Sequence, residues 1–151
     1  MSIPAFNLTQ RPPRSPYSRL GGLVILPRML DKARATAVGE NGEYHYDCPI
    51  DQHLLKFLGL DPAALLEEVR AGRGDAELLT WIMGNAKIKR EPWEIEAWSA
   101  YQEKRAPGSD QETATFFTGR LGEMGASTRD DVKTWFDLLE LDDYVTFGGK
   151  A

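Results

Sequence analysis

The chain is poor in the residues from which redox, metal and histidine chemistry are usually built: among 151 residues there is one cysteine, Cys48, and there are two histidines, His45 and His53. A single cysteine excludes an intrachain disulfide and any site that needs several thiolates, such as a zinc ribbon or an iron–sulfur cluster. Long apolar runs are also missing. The stretch Leu23 to Leu26 falls far short of the roughly 20 residues of a spanning helix, so no membrane segment is expected. The N-terminus, with Arg11 and Arg14 among Pro4, Pro12, Pro13 and Pro16, lacks the apolar stretch of a secretory signal. Together these absences lead us to expect a cytoplasmic location. No GxGxxG, Walker loop, GxSxG or HExxH occurs, and no cofactor is expected.

The remaining composition is that of an ordinary folded domain, 42% apolar and 27% charged with a net charge of −5. A chain of this size buries enough surface to need no staple. Charge is unevenly distributed: residues 1–39 carry +5 and residues 40–151 carry −10. Internal compensation between the two parts is the simplest reading. The acidic total argues against nucleic acid as a partner.

Residues 1–14 read as an extended, basic, proline-rich arm, because Pro12-Pro13 forbids helix there. Residues 15–151 read as a single helical domain. Helix starts are marked at Ser15-Pro16, Cys48-Pro49, Asp61-Pro62 and Glu91-Pro92, by a capping box from Ser109 to Glu112, and by a weaker one from Thr128 to Asp131. Gly39, Gly59, Gly72, Gly108 and Gly125 supply ends. Apolar residues keep helical spacing at Met29, Leu30, Ala33 and Ala37; at Leu54, Phe57 and Leu58; at Leu65, Leu66 and Val69; and at Leu78, Leu79, Ile82, Met83 and Ala86. The pattern continues through Ile95, Trp98 and Tyr101 or Gln102, then Phe116, Phe117, Leu121 and Met124, and finally Val132, Trp135, Phe136, Leu138 and Leu139. The expectation is an all-α fold of about seven short helices. Leu23 to Leu26 and the alternating Glu43 to Cys48 leave room for a minor two-stranded hairpin. The four tryptophans, Trp81, Trp93, Trp98 and Trp135, fall on or beside helix stripes and read as core.

Polar chemistry concentrates between Arg28 and Asp51. On a helix from Pro27, Asp31 lies three residues from both Arg28 and Arg34, and Arg28 lies four from Lys32. An acid among guanidiniums stays ionised and leaves donors for a carboxylate or phosphate. Asn41-Gly42 signals a chain reversal that would return Glu43 to Asp51 toward this helix. The candidate ligand-binding residues are therefore Arg28, Asp31, Lys32, Arg34, Tyr44, Tyr46 and Asp51. Glu43 and His45 are the candidates for handling a proton. Cys48, at a helix start near both histidines, is either a small buried residue or a nucleophile. His45, Cys48, Asp51 and His53 have the donor types of a metal site but match no zinc spacing, and no metal is expected. Gly21-Gly22 before a helix could cradle an anion. The acidic residues Asp130, Asp131, Asp137, Glu140, Asp142 and Asp143 read as a solvated face.

The residues Arg14-Ser15-Pro16, Leu20-Gly21-Gly22, Leu26-Pro27-Arg28-Met29-Leu30-Asp31-Lys32-Ala33-Arg34, Gly42 through Pro49 and Asp51, with Trp81, Asn85-Ala86 and Glu94 through Trp98, are similar to a bacterial family catalogued as domain of unknown function 5069. The resemblance covers nearly the whole chain and implies a bacterial single-domain protein. It carries no activity and no catalytic residues. The chain departs from the pattern at Glu91, where threonine would cap the following helix better.

Two functions follow as expectations. One is a binder of a small anionic molecule, or a cofactor-independent enzyme, with a polar pocket between the 27–38 helix and the 43–51 loop. The other is an interaction or regulatory module in which residues 1–14 dock on a protein partner or a second copy of the chain.

Overall fold

A computed structural model describes residues 2–108 and 111–151. Helices make up 54% of the described residues and the strands are two residues each, so the fold is mainly α. The elements are β1 (Arg19–Leu20), β2 (Leu23–Val24), α1 (Leu26–Ala37), α2 (Pro49–Leu58), α3 (Pro62–Arg70), α4 (Asp75–Asn85), α5 (Pro92–Lys104), α6 (Gln111–Glu123) and α7 (Trp135–Thr146). The chain forms two compact units, Met1–Ser99 and Ala100–Ala151.

The first unit is organised around α1. Proline starts α2, α3 and α5 where the sequence places it, because its missing N–H is not needed in a first turn. Asp61 adds a cap by accepting from the Ala63 amide. Ahead of α1, Ser15 closes the turn at Pro16-Tyr17 through its hydroxyl, which accepts from the Tyr17 amide at 3.1 Å. Gly21 and Gly22, both at positive φ, form the two-residue connection of the β1–β2 hairpin, in which Arg19 faces Val24 and Leu20 faces Leu23. The glycine pair thus turns a hairpin instead of cradling an anion. Ser99 ties that hairpin to α5: its buried hydroxyl donates to the Gly22 carbonyl at 2.6 Å and accepts from the Val24 amide at 3.2 Å.

The hairpin delivers the chain into α1 through Ile25, whose φ of 74° is unusual for a β-branched residue. Its amide donates to the Pro16 carbonyl at 3.0 Å, and its carbonyl accepts from Met29 at 2.9 Å. Leu26, Met29, Leu30 and Ala33 are completely buried. The helix packs against α2 and α3, and α3 packs against α4. Leu54, Leu58, Leu65, Val69, Leu78 and Ile82 fill the same unit. Phe57 is held between Trp98, stacked at a centroid separation of 4.7 Å, and the Arg90 guanidinium at 4.3 Å.

Residues 2–14 lie partly against this unit. Leu8 is buried, and its amide donates to the Glu40 carbonyl at 2.9 Å. The approach is close: a Cβ on Gly42, at φ +55°, would sit 2.8 Å from the Leu8 carbonyl oxygen. Glu43 to Cys48, which alternates like a strand, forms turns, with Asp47 at φ 64°. Its backbone is held by flanking side chains, the Asn41 side-chain amide donating to the Tyr44 carbonyl and the Asp51 carboxylate accepting from the Asp47 amide, each at 2.9 Å, and no neighbouring strand is paired with it among the described residues.

In the second unit, Phe117, Leu121, Ala126, Val132, Leu138 and Leu141 form one apolar cluster, with Met124, Trp135 and Val145 at its margin. Trp135 meets Phe117 edge-on at 5.3 Å. The helix start read at Thr128 lies later, at Thr134. There the Thr134 hydroxyl accepts from the Asp137 amide at 3.0 Å, and the Asp137 carboxylate accepts from the Thr134 amide at 3.1 Å. Residues 128–131 form turns instead. Ser109, expected to cap the preceding helix, lies outside the described residues. The acidic residues of this unit are partly engaged, Asp131 by Arg129 and Asp142 by Arg120, each at 2.8 Å. Two aromatics depart from the core reading: Trp93 and Phe116 are exposed, and Gln102 takes the inward position beside an exposed Tyr101.

The reciprocal Thr134–Asp137 cap has a measurable worth. Thr134→Ala should lower unfolding free energy by about 1 kcal/mol, and Thr134→Ser should restore nearly all of it. Urea denaturation followed by circular dichroism measures both; equal midpoints for all three proteins would mean that the cap contributes nothing.

Candidate functional site: the charged face of α1

The N-terminal ten residues of α1 are all buried, although Arg28, Asp31, Lys32 and Arg34 are among them. A charge in such a place needs a partner, since stripping it of water costs several kcal/mol. The partners come from elsewhere in the chain. Asp31 is taken by Arg14: Nε donates at 3.0 Å, Nη2 at 2.9 Å, and the Arg14 amide at 2.8 Å. Arg14 also donates through Nη1 to Asp75, at 2.8 Å. Arg34 reaches the same Asp75 at 2.8 Å and the Arg73 carbonyl at 3.3 Å, while its nearest approach to Asp31 is 3.9 Å. The helix-internal pairing expected of Asp31 and Arg34 is thus the weakest contact of the four-residue chain Asp31–Arg14–Asp75–Arg34.

A second ion pair lies one position along α1. Lys32 Nζ is 2.9 Å from Asp51 Oδ1 and 3.1 Å from Cys48 Sγ. Asp51 is completely buried and Lys32 nearly so. The other carboxylate oxygen of Asp51 accepts from the Asp47 amide at 2.9 Å, which holds the turn before α2. The contact to Oδ1 is ionic and off the line of a good hydrogen bond. Burial pushes the Asp51 carboxyl above its ordinary range, with Lys32 and the Asp47 and Cys48 amides opposing.

The remaining candidates are divided. The Arg28 guanidinium lies 5.5 Å from the Tyr44 ring centre and donates to the Arg14 carbonyl at 3.3 Å. Tyr46 turns to α3, where its hydroxyl donates to the Pro62 carbonyl at 2.7 Å. Burial, followed by the charges of Asp51, Asp47 and Asp61, raises its pKa well above the usual phenol value. Glu43 and His45 are exposed. The turn therefore brings Tyr44, Cys48 and Asp51 to α1, and leaves both proton-handling candidates facing water. Cys48 is the half-buried N-cap residue of α2, makes no side-chain cap, and its sulfur contacts Lys32.

Two members of the cluster are absent from the candidate site read from the sequence: Arg14, which belongs to the arm and to the motif shared with the family, and Asp75, which lies at none of the helix starts read from the sequence. Asp75 opens the first turn of α4, where an acid suits the helix dipole. That position was the available signal for it. Nothing local marks Arg14, which reaches Asp31 across 17 residues and Asp75 across 61.

Asp75 is held below its usual range, first by the hydrogen bond from Arg14, against some burial, and then by Arg34. Arg14 is driven the other way: burial alone would lower its pKa, and the bonds to Asp31 and Asp75 outweigh it.

The molecule is thus a mainly helical protein in which a buried, mutually neutralised charge cluster on the first long helix is the most developed polar site. It belongs to the family described as domain of unknown function (DUF5069), whose model matches residues 10–145. No curated protein matches the chain. The matched span includes every residue of the cluster from Arg14 to Asp75.

Both ion-pair systems lead to expected outcomes. Asp51→Ala leaves a buried ammonium without its counter-charge and should cost about 3–5 kcal/mol, whereas Lys32→Met combined with Asp51→Leu should recover most of that loss. Denaturant titration of the three proteins decides it; a single variant within about 0.5 kcal/mol of the parent would show the pair to be dispensable. For Asp75, the folded pKa lies below the unfolded one, so its contribution is present above the unfolded value near 3.8 and is lost as pH falls through the folded value. Asp75→Asn should therefore flatten the rise of stability with pH below about pH 4. An unchanged slope in acid unfolding would contradict that assignment.

Proposed function

We propose that the protein binds a small anionic molecule through the arginines that surround α1, without itself needing to transform it. The observation that carries this reading is Arg34. Its side chain is 7% exposed and fixed at one edge by Asp75, yet its Nε–H is buried and donates to no group among the described residues. A buried guanidinium donor normally has an acceptor, and a carboxylate or phosphate oxygen is the acceptor whose geometry fits it. Asp31 and Asp75 hold Arg14 and Arg34 in place in advance, which reduces the entropy that an anion would have to overcome.

Glu43 and His45 would enter such a reaction only as groups brought in from the exposed turn, so binding without catalysis has the better support. An interaction role for residues 1–14 has less, because Leu8 and Arg14 are already engaged within the first unit.

The test uses inorganic phosphate and succinate as probes on the full chain. Ligand that binds only the folded state raises Tm with concentration. Either anion should raise Tm beyond chloride of equal ionic strength, and Arg34→Lys should remove the excess. Asp75→Asn, which releases donors of both Arg14 and Arg34, should enlarge it. No excess over chloride for either probe, or the same excess in Arg34→Lys, would end the proposal.

A further inference from the structure

Cys48 has no second thiol to meet, and what stands beside it is an amine. Lys32 Nζ lies 3.1 Å from Cys48 Sγ, and Asp51 Oδ1 lies 2.9 Å from the same nitrogen. Lys32 is nearly completely buried and is delivered by α1, while Cys48 and Asp51 come from the start of α2. Sulfur and nitrogen are therefore held together by two helices, with the Asp51 carboxylate 2.9 Å from the nitrogen. Cys48 is half-buried, not sealed in the core as Lys32 and Asp51 are.

We propose that Lys32 and Cys48 form a reversible, oxygen-bridged covalent link when the protein meets hydrogen peroxide. Sulfur is converted first: peroxide oxidises the thiol to a sulfenic acid and leaves as water. With no second cysteine in the chain, that sulfenic acid cannot be resolved as an intrachain disulfide, and the group in contact with it is the Lys32 nitrogen. Transfer of the Lys32 proton to Asp51 exposes the nitrogen lone pair. Burial of Asp51 assists, since it disfavours the charged carboxylate. A second peroxide oxidises the amine to a hydroxylamine, again releasing water. Condensation of the sulfenic acid with the hydroxylamine then forms the S–O–N bridge and expels a third water. Counted from the thiol and the neutral amine, one S–H and one N–H bond are lost, one oxygen is retained between sulfur and nitrogen, the two peroxides accept all four electrons, and three waters leave. A thiol reductant returns the thiol and the amine.

The geometry favours a bridging oxygen over a direct bond between sulfur and nitrogen. One oxygen spans the two atoms after a small closing of the present gap, whereas a direct bond needs α1 and the start of α2 to move together by more than an ångström. The link would join α1 to α2 beneath the turn at 43–48 and would restrict the unfolded chain as a disulfide does.

The experiment treats the full chain with hydrogen peroxide and reads intact mass, followed by fragmentation of proteolytic peptides, before and after dithiothreitol. The expected product gains one oxygen and loses two hydrogens, joins the peptides that contain Lys32 and Cys48, and reverts on reduction. Its Tm should exceed that of the reduced protein. Cys48→Ser should abolish the product. Lys32→Arg, which keeps a cation for Asp51, should stop the sulfur chemistry at the sulfenic or sulfinic acid, with the two peptides separate. Loss of two hydrogens without oxygen gain, meaning a direct sulfur–nitrogen bond, would overturn the bridge. So would oxygen gain confined to Cys48 in the parent protein.

Discussion

The constraint on which the first unit depends is the burial of α1 with its charges still on it. Four ionisable side chains within seven residues, Arg28, Asp31, Lys32 and Arg34, lie in an interior made mostly of aliphatic side chains. Their desolvation is offset only when each meets an opposite charge or an oriented dipole. That requirement brings the chain before the hairpin, the start of α2 and the start of α4 to one helix. It also explains where much of the basic excess of the N-terminal part goes: half-buried Arg14 and buried Lys32 and Arg34 neutralise Asp31, Asp51 and Asp75.

The same constraint links fold to chemistry. An ion pair that merely stabilises could be exchanged for apolar residues of similar volume at little cost. Here the pairs also position groups. Asp75 and Asp31 orient two guanidiniums, and Asp51 places an ammonium against a thiol. Such an arrangement fixes donors and nucleophiles in advance, which is what a binding or reactive site needs and a plain core does not. The strained entry at Ile25 belongs to the same design, since it sets the direction in which α1 leaves the hairpin.

The second unit is built differently. Its apolar cluster carries no charged side chain, Gln102 and Asp143 are its buried polar residues among the described ones, and the Arg120–Glu123 and Arg129–Asp131 ion pairs lie toward the surface. The hollow of about 350 Å³ among Arg129, Asp131, Asp137, Glu140 and Tyr144 is lined by groups already engaged in local pairing or capping. Nothing there matches the concentration of buried charge around α1.

Much of the fold was legible because its signals are local. Proline after Cys48, Asp61 and Glu91 marks three helix starts, and apolar spacing marks the buried faces of α1 to α4; both depend on neighbours within a turn or two. Where two local signals competed, the sequence misled: Thr128 and Thr134 each begin a box with an aspartate three residues on, and the apolar run beginning at Trp135 selects the second. Trp93 shows the converse, a large apolar residue beside a helix stripe that nonetheless faces water. Of the candidate site, the residue types on α1 were readable, and so was the chain reversal at Asn41-Gly42. Which acid would meet which base was decided by tertiary structure alone. Arg14 reaching Asp31, Asp75 bridging two arginines, and Lys32 lying between Asp51 and Cys48 are contacts between distant segments, set by how helices pack, and no periodicity along the chain encodes them.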